Sequence, residues 1–233
     1  KADAVAHGST GAGNDQVRFD MIFHIMIPGI EIITPIRDLQ LSREEEITYL
    51  KSKGVDMNFE KSMYSINKGL WGTSVGGKET LSSKGMLPEE AWPTQVSESG
   101  SQEVKLGFEK GELISVDDLA FTHPADAIQY LQTIAGPFAI GRDIHVGDTI
   151  IGIKGRVGFE AAAPMVILKA HHALEKHVLT KWQLNWKDQL ALFYGNWLHE
   201  GQILDPVMRD IEAYLENSQK NVTGDVFVQL MPY

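Results

Sequence analysis

A glycine-rich segment near the start of the chain constrains the fold more than any other feature. Residues 7–19 contain three glycines, two small hydroxyl side chains, two amides, a carboxylate and a guanidinium. The apolar run Ala4–Ala6 precedes this segment, and an amphipathic run extends from it to Ile27. This order predicts a strand, a tight glycine loop and a helix N-terminus, where free backbone N–H groups and the helix dipole favour a bound anion.

The polar side chains of this segment suggest a ligand with both charges. Asn14 and Asp15 suit the N-cap of the predicted helix, and Asp15 and Arg18 lie three residues apart on one helix face. A turn of this kind presents an acceptor and a donor together, which suits a zwitterion. The simpler interpretation is a tight strand–helix turn with an ordinary cap, because glycine loops are common in the absence of any ligand.

The segment resembles the second signature of argininosuccinate synthases, a G-x-T-x-K-G-N-D-x-x-R-F pattern. Ala12 stands where that family usually has lysine. The resemblance extends through nearly the whole chain. The residues that match the signature at fixed spacing are Gly8, Thr10, Gly13, Asn14, Asp15, Arg18 and Phe19.

The resemblance implies an enzyme of arginine biosynthesis that ligates citrulline and aspartate. In this family the ureido oxygen of citrulline attacks the α-phosphate of ATP, giving citrullyl-AMP and pyrophosphate, and the amine of aspartate then displaces AMP. Such chemistry depends on orientation and charge stabilisation, so no residue of the protein is expected to act as a catalytic nucleophile. ATP with its magnesium is expected as a substrate, without a prosthetic group or a protein metal site.

The resemblance also implies roles for residues of the first segment. Gly8 would contact the nucleotide through its backbone. Thr10 and Asn14 would hold the carboxylates of aspartate, and Asp15 would hold its ammonium group. Arg18 would reach citrulline together with Asn14, and a rigid fork of donors suits that contact.

A second segment, residues 64–74, resembles the family's W-S-x-D-x-N-L-x-x-x-S pattern. Ser65 and Ser74 match two serines that hydrogen-bond citrulline. Without the resemblance, this segment would be interpreted as a Gly/Ser turn with an aromatic anchor.

A third segment, residues 141–160, resembles the family's G-R-x-D-x-V-E-N-R-x-x-G-x-K-S-R-G-x-Y-E pattern, and two of its departures from that pattern fall at positions that contact citrulline. Gly147 replaces a glutamate and Phe159 replaces a tyrosine, both of which contact citrulline in the family. Asp148 offers a carboxylate next to Gly147, but a shift of one residue on a strand reverses the direction in which a side chain faces.

Three interpretations of these departures remain open. The first is drift in an enzyme that still uses citrulline, with Asp148 or water compensating. The second is an N-acylated citrulline, such as acetyl- or succinyl-citrulline, whose neutral amide would leave a glutamate unpaired and for which Gly147 would make room. The third is a paralogue with altered or lost activity, for which Ala12 is additional support.

The fold class predicted for the chain is α/β. Residues 1–53 alternate between strand and helix, and Ser42 followed by Glu45 predicts a capping box on a helix that Gly54 terminates. We expect this region to be the C-terminal part of a doubly wound nucleotide-binding domain of the adenine nucleotide alpha-hydrolase type. We expect residues 54–233 to form an α+β synthetase and multimerisation domain that binds citrulline and aspartate.

Within the second region, hydrophobic periodicity and turn residues predict five elements. They are a β-hairpin of Glu103–Phe108 with Glu112–Val116, a helix from His123 to Ala135, a strand over residues 149–154, an interrupted helical stretch over residues 163–217 and a strand over residues 226–230.

The resemblance also predicts that the chain is an internal piece of a longer enzyme. In the family an S-G-G-x-D-T-S loop that cradles ATP phosphates lies well upstream of the first matched segment, and these 233 residues contain no such loop. The family continues beyond the position of Tyr233 into a C-terminal arm that helps to assemble a homotetramer. The competing interpretation is a non-catalytic binding or assembly module, and the full reading frame would discriminate between the two.

Composition excludes several other classes of protein. The net charge is −10 and no basic stretch stands out, which argues against a nucleic-acid partner. The chain has no cysteine, which excludes disulfides and thiolate metal sites and fits a cytoplasmic location. No apolar run approaches the ~20 residues of a membrane span, so no membrane partner is expected.

Two groups of residues in the helical stretch have simpler explanations than function. His171 and Glu175, four residues apart on one helix near His172 and His177, are candidate metal ligands, but a solvated helix face is the favoured interpretation. The tryptophans at 182, 186 and 197 are interpreted as core or subunit contacts.

Overall fold

The computed structural model describes residues 2–55 and 64–232, and the chain divides into two compact units. The first unit contains Lys1–Met63, Gly147–Gly155 and Gly195–Met208. The second unit contains Tyr64–Val146, Arg156–Tyr194 and Arg209–Tyr233.

The N-terminal part of the first unit alternates between strand and helix, as predicted. Its elements are β1 (Ala4–Ala6), α1 (Asp15–Met26), β2 (Glu31–Ile33), α2 (Pro35–Leu39) and α3 (Arg43–Ser52). Strands β1 and β2 are parallel, with Val5 opposite Ile32. Two parallel strands joined through a helix form a βαβ unit, so the glycine loop lies at the carboxyl end of β1.

The predicted capping box at the start of α3 is confirmed. The Ser42 hydroxyl accepts a hydrogen bond from Glu45 N at 3.3 Å, and Glu45 Oε2 accepts one from Ser42 N at 2.7 Å. The helix ends at Ser52, and Gly54 follows in the left-handed region with φ 75°. Glycine is favoured there because a side chain would be strained at that φ.

Ten strands and seven α-helices account for the regular structure of the described residues apart from short 3₁₀ turns. The remaining strands are β3 (Ser65–Gly69), β4 (Gly72–Gly76), β5 (Gln102–Glu109), β6 (Glu112–Val116), β7 (Leu119–Ala120), β8 (Arg142–Asp148), β9 (Lys154–Glu160) and β10 (Gly224–Leu230). The remaining helices are α4 (Pro124–Ala135), α5 (Ala162–Val178), α6 (Lys181–His199) and α7 (Pro206–Gln219). One sheet has the order β10-β5-β6-β7 and another the order β3-β4-β9-β8.

The main core of the second unit lies between the β10-β5-β6-β7 sheet and helices α4 and α5. Alternate residues of β5 point into it, because successive side chains of a strand face opposite sides. The helices contribute residues three or four positions apart, which is the spacing of one helix face. The buried residues of these three elements include Val104, Leu106, Phe108, Ala127, Leu131, Ala135, Ala163, Val166, Ile167, Ala170 and Leu174.

Four of the five elements predicted for the second region are confirmed. The hairpin of β5 and β6, the helix α4, the helical stretch, which divides into α5, α6 and α7, and the strand β10 all occur where expected. The strand predicted over residues 149–154 is wrong, because most of that segment is the turn between β8 and β9. Gly152 N donates to Thr149 O at 2.8 Å and Gly152 has φ 82°, so a glycine turn outweighs the strand preference of its β-branched neighbours.

Candidate functional site

The loop between β1 and α1 presents its central residues to solvent. Gly8 and Thr10 are both exposed. Gly13 N donates to Thr10 O at 3.4 Å, which folds the loop back before the helix begins. The loop therefore places a main-chain segment and a hydroxyl beside the N-terminus of a helix, where an anionic group is favoured.

Asn14 occupies the N-cap position of α1, but its side chain makes no capping hydrogen bond. Its Oδ1 accepts a hydrogen bond from Ile150 N at 2.8 Å, and its Nδ2 lies 3.3 Å from His199 Nε2. The position predicted for Asn14 is confirmed, whereas the capping role of its side chain is wrong. Its amide instead links the start of α1 to the segments that contain Ile150 and His199, all within the first unit.

Arg18 is held on several sides. Its NH1 donates to Asp15 Oδ1 at 3.1 Å, which confirms that these two side chains share one helix face. Its Nε donates to His199 O at 2.8 Å, and its NH2 lies 3.2 Å from His199 Nδ1. The Asp15 side chain is 65% exposed, so its ion pair with Arg18 contributes little to stability and mainly orients the guanidinium.

His199, the last residue of α6, is the main residue of this site that the sequence did not predict. It is 185 positions from Asn14, and no local spacing signals the contact. Arg18 can only donate, so Nδ1 of a neutral His199 accepts and Nε2 carries the proton. Because Asn14 Oδ1 accepts from Ile150 N, Asn14 Nδ2 and the protonated His199 Nε2 face each other as two donors. Neither of these two N–H groups satisfies the other, so both are open to an acceptor such as a carboxylate or another anionic oxygen.

Gly147 lies near the end of β8 in the first unit and is half-buried. The neighbouring Asp148 is exposed, and its Oδ1 lies 2.5 Å from Lys154 Nζ on β9. The carboxylate next to Gly147 therefore already has a cationic partner.

In the second unit, Ser65, Ser74 and Phe159 share one face of a sheet. Ser65 lies on β3 opposite Gly76, and Ser74 on β4 lies opposite both Asn67 and Phe159. Because directly opposed residues face the same side, these side chains are neighbours. The segment interpreted as a Gly/Ser turn in the absence of a resemblance is a β-hairpin, with only its tip in the turn.

Gly72 lies directly beneath the Phe159 ring. A Cβ placed on Gly72 would be 2.4 Å from Phe159 Cζ, and Gly72 has φ 150°. Only glycine lets the ring occupy this position.

The sequence-predicted site residues thus form two groups. The first unit contains Gly8, Thr10, Asn14, Asp15, Arg18 and Gly147, and the second contains Ser65, Ser74 and Phe159.

On α5 the solvated face that the sequence favoured is wrong for Glu175 and His171, which are buried and largely buried, whereas His177 is exposed. Glu175 has 0% exposure and lies 2.6 Å from Lys187 Nζ. Its other oxygen accepts a hydrogen bond from Gln219 Nε2 at 2.8 Å, and His171 Nδ1 lies 3.7 Å away. Burial lowers the pKa of His171, although the carboxylate of Glu175 acts in the opposite direction. This cluster is a buried ion pair with polar neighbours.

Two of the three tryptophans are not in the core. Trp182 is 67% exposed and Trp186 is 56% exposed, whereas Trp197 is half-buried. A core role is therefore wrong for the first two.

Among residues 2–55 and 64–232, no three histidine, aspartate or glutamate side chains lie close enough together to hold a metal ion. In the same ranges, none of the helices combines the length and apolar content required to cross a bilayer.

Comparison with known proteins adds two domain matches that together cover most of the chain. Residues 1–56 match the N-terminal HUP domain of arginosuccinate synthase, and residues 64–232 match its C-terminal domain. This order confirms the predicted fold class, a nucleotide-binding α/β domain followed by a synthetase domain.

Full-length relatives agree with the domain matches. The argininosuccinate synthase of Methanocaldococcus jannaschii is 39% identical over 98% of this chain and 58% of its own length. Those of Xanthomonas campestris and Dictyoglomus turgidum are each 36% identical, over 97% and 100% of this chain. The chain spans 58–59% of the length of these curated relatives.

Proposed function

Because this chain belongs to the argininosuccinate synthase family, we propose that it carries the citrulline- and aspartate-binding part of an ATP-dependent carbon–nitrogen ligase. Residues 1–53 would be the end of the nucleotide-binding domain and residues 54–233 the synthetase domain. The product would be argininosuccinate, with AMP and pyrophosphate released.

The residues around the start of α1 would bind aspartate and the nucleotide. Gly8 would meet the nucleotide through its main chain, and the hydroxyl of Thr10 and the amide of Asn14 would donate to the carboxylates of aspartate. The exposed carboxylate of Asp15 would hold the ammonium group. Arg18 with Asn14 would bind citrulline, and the excess of donors around His199 supports an anionic oxygen at this place.

The face of the β3-β4-β9-β8 sheet that carries Ser65 and Ser74 would hydrogen-bond citrulline. Two hydroxyls on one face can donate to or accept from a neutral ureido group, and Phe159 beside them supplies an apolar surface.

In the proposed reaction, the ureido oxygen of citrulline attacks the α-phosphorus of ATP. A new P–O bond forms while the bond to the bridging oxygen breaks, and pyrophosphate leaves. The amine of aspartate then attacks the ureido carbon, loses a proton, and AMP departs with the former ureido oxygen. The residues of this chain would act by holding the two amino acids in line and by stabilising charge.

ATP would arrive with magnesium as a substrate, and we assign no residue of this chain as a metal ligand or prosthetic-group site. A cytoplasmic homotetramer is the expected setting. The exposed Trp182 and Trp186 on α6 are available for subunit contacts.

The observation that carries the proposal is the loop–helix junction where Thr10, Asn14, Asp15 and Arg18 meet. These four side chains offer donors and an acceptor for a zwitterion beside a helix N-terminus, within one compact unit. The test is pyrophosphate release by the protein expressed from its complete reading frame. We expect release that requires both aspartate and a citrulline-type acceptor, and silence with every acceptor would contradict the proposal.

An N-acylated citrulline is a second candidate for the acceptor, and one contact favours it. Asp148 is paired with Lys154. Its side chain points to the opposite face of β8 from a side chain at position 147, so it is poorly placed to replace a glutamate there. An acceptor whose α-nitrogen is a neutral amide needs no carboxylate there.

The choice between acceptors is made by comparing citrulline, acetylcitrulline and succinylcitrulline in the same assay, together with the variant Gly147→Glu. If an acylated acceptor is preferred, Gly147→Glu should shift the preference toward citrulline by placing an anion beside its ammonium group. If citrulline alone is used, Gly147 and Phe159 are substitutions without effect on the choice of acceptor, and other groups have replaced the lost contacts. Asp148→Asn serves as the control for a charge change at the adjacent residue.

A non-catalytic module is the remaining alternative. It predicts binding of citrulline or aspartate without pyrophosphate release in the complete protein. An S-G-G-x-D-T-S loop in the complete reading frame would favour the ligase.

A further inference from the structure

A chain of partly buried polar contacts lies beneath the glycine loop and begins at His7. The His7 side chain is only 7% exposed. Its Nδ1 accepts a hydrogen bond from Ser9 N at 3.3 Å, and its Nε2 lies 3.0 Å from Asp20 Oδ1. A main-chain N–H can only donate, so Nδ1 is unprotonated, and Nε2 carries the proton and donates it to Asp20.

The contacts continue from Asp20 to Arg37. Asp20 Oδ2 accepts a hydrogen bond from Arg37 NH1 at 2.5 Å. Burial alone would raise the pKa of Asp20, but the hydrogen bonds from His7 and Arg37, with the charge of Arg37, outweigh it and lower the pKa. Asp20 is therefore an ionised acceptor that holds two donors in fixed directions.

From Arg37 the contacts return to the loop through Gln16. Arg37 NH1 also donates to Gln16 Oε1 at 3.3 Å, and Gln16 is a buried residue of α1. With its oxygen occupied in this way, the amide directs Nε2 at Gly11 O and donates to it. Arg37 NH2 donates to the Thr34 hydroxyl at 3.1 Å, which fixes the guanidinium plane.

The two ends of this network form hydrogen bonds with the loop at the residues before and after Thr10. It starts at the main-chain N–H of Ser9 and ends at the main-chain oxygen of Gly11, and Thr10 lies between them. We propose that His7, Asp20, Arg37 and Gln16 form a clamp of positioning residues that sets the Thr10 hydroxyl and the adjoining main chain in the geometry required to bind aspartate. This inference rests on the proposed role of Thr10.

The clamp constrains the loop because the neighbour of each member determines which of its atoms donates and which accepts a hydrogen bond. His7 must accept at Nδ1 because Asp20 receives Nε2–H, and Gln16 must donate at Nε2 because Arg37 occupies its oxygen. We call the hydrogen bonds from Ser9 N to His7 and from Gln16 to Gly11 O the two loop anchors. Small displacements of a binding group weaken binding sharply, so loss of either anchor should weaken the binding of aspartate.

Two substitutions of His7 separate the loop anchor from the contact with Asp20. In His7→Asn the side-chain amide lies near the place of Nδ1, so an acceptor for Ser9 N–H is retained. In His7→Gln the amide lies near the place of Nε2, so the donor to Asp20 is retained and the anchor to Ser9 is lost. Gln16→Met, which has a similar size and no donor, removes the anchor at Gly11.

The expected result in the complete protein is a rise of about tenfold in KM for aspartate for His7→Gln and Gln16→Met. For His7→Asn we expect a rise of less than about threefold. KM for the citrulline-type acceptor should change by less than about twofold in all three. Glu175→Gln, which alters a buried contact in the other unit, is the control: it should lower the melting temperature without changing KM for aspartate. A substitution that only destabilises the protein lowers the active fraction, and so kcat, rather than one KM.

Unchanged KM for aspartate in His7→Gln and Gln16→Met, with an active wild-type protein, would overturn the clamp. If the wild-type protein releases no pyrophosphate, the proposed function fails, and the clamp is tested by NMR instead. Labelled His7 should show the Nε2–H tautomer, and the Thr10 amide resonance should move more in His7→Gln than in His7→Asn. An Nδ1–H tautomer, or equal Thr10 shifts in the two variants, would overturn it in either case.

Discussion

Arg18 Nε donates to the main-chain oxygen of His199 at 2.8 Å, a contact between residues 181 positions apart. The imidazole of His199 lies beside the same guanidinium and beside the Asn14 amide, 3.2 Å and 3.3 Å away. The C-terminal end of α6 therefore completes the group of polar side chains that the glycine loop begins. This contact fixes the direction in which the Arg18 fork points and leads to the first prediction.

Arg18→Lys should raise KM for the citrulline-type acceptor by about tenfold or more. Lysine keeps the charge but has no planar fork, so it cannot donate to Asp15 and to two atoms of His199 at once. Steady-state pyrophosphate release measures the effect. Arg209→Lys is the matched control, because the Arg209 side chain is 60% exposed and pairs with Glu212 three positions along α7. Equal KM values for the two variants would contradict the role of Arg18.

Gly72→Ala should destabilise the protein by about 1–3 kcal/mol. The new Cβ would need the space that Phe159 Cζ occupies, and φ 150° is unfavourable for alanine. Urea unfolding monitored by circular dichroism measures the change. Gly100→Ala is the control, because nothing lies within 4 Å of a Cβ at that position. A free energy of unfolding equal to that of the wild-type protein would mean that the ring has an alternative position.

Glu175→Leu should cost about 3–5 kcal/mol in the free energy of unfolding, because it leaves the partly buried ammonium group of Lys187 without its main partner. The double substitution Glu175→Leu with Lys187→Met should recover much of that loss, since the carboxylate left without Lys187 is that of Asp188, whose side chain is 54% exposed. Asp118→Asn removes one member of an ion pair in which the aspartate side chain is fully exposed, and should change stability by less than about 0.5 kcal/mol. A double variant no more stable than the single one would argue against the ion pair as the cause.

Stability should fall below neutral pH partly because of His171. Burial holds its pKa in the folded protein below the ordinary value of 6.5. The unfolded chain therefore binds this proton first, so the contribution of neutral His171 is present above pH 6.5 and is lost as the pH falls toward the folded pKa.

The measurement is urea unfolding at about pH 7.5 and about pH 5.5 for the wild-type protein and His171→Gln. The wild-type protein should lose more stability, by at most about 1.4 kcal/mol per pH unit. The charged and polar neighbours of the ring are Glu175, Lys187, His172 and Gln219, and Glu175 reduces the effect because its charge favours the proton. Parallel losses in the two proteins would assign the pH dependence to other groups.

Features that depend on near neighbours in the chain were predictable. The capping box of Ser42 and Glu45, the Asp15–Arg18 pair and the apolar face of α4 each arise from residues three or four positions apart. Their geometry is set within one helix, so the spacing alone determines it. The strand predicted over residues 149–154 is wrong because a glycine turn depends on a backbone φ, which residue preferences describe poorly.

The family, the order of the two domains and the loop–helix junction could be read from the residues alone, because they follow from local patterns and from motifs matched at fixed spacing. Three-dimensional packing was needed to establish that His199 contacts Arg18, that Glu175 is buried beside Lys187 and that His7 and Gln16 contact the loop on either side of Thr10. Those contacts join residues far apart in the chain or depend on how neighbouring elements pack. Side-chain burial and hydrogen-bond partners of that kind are settled by packing in three dimensions, for which periodicity along the chain carries no signal.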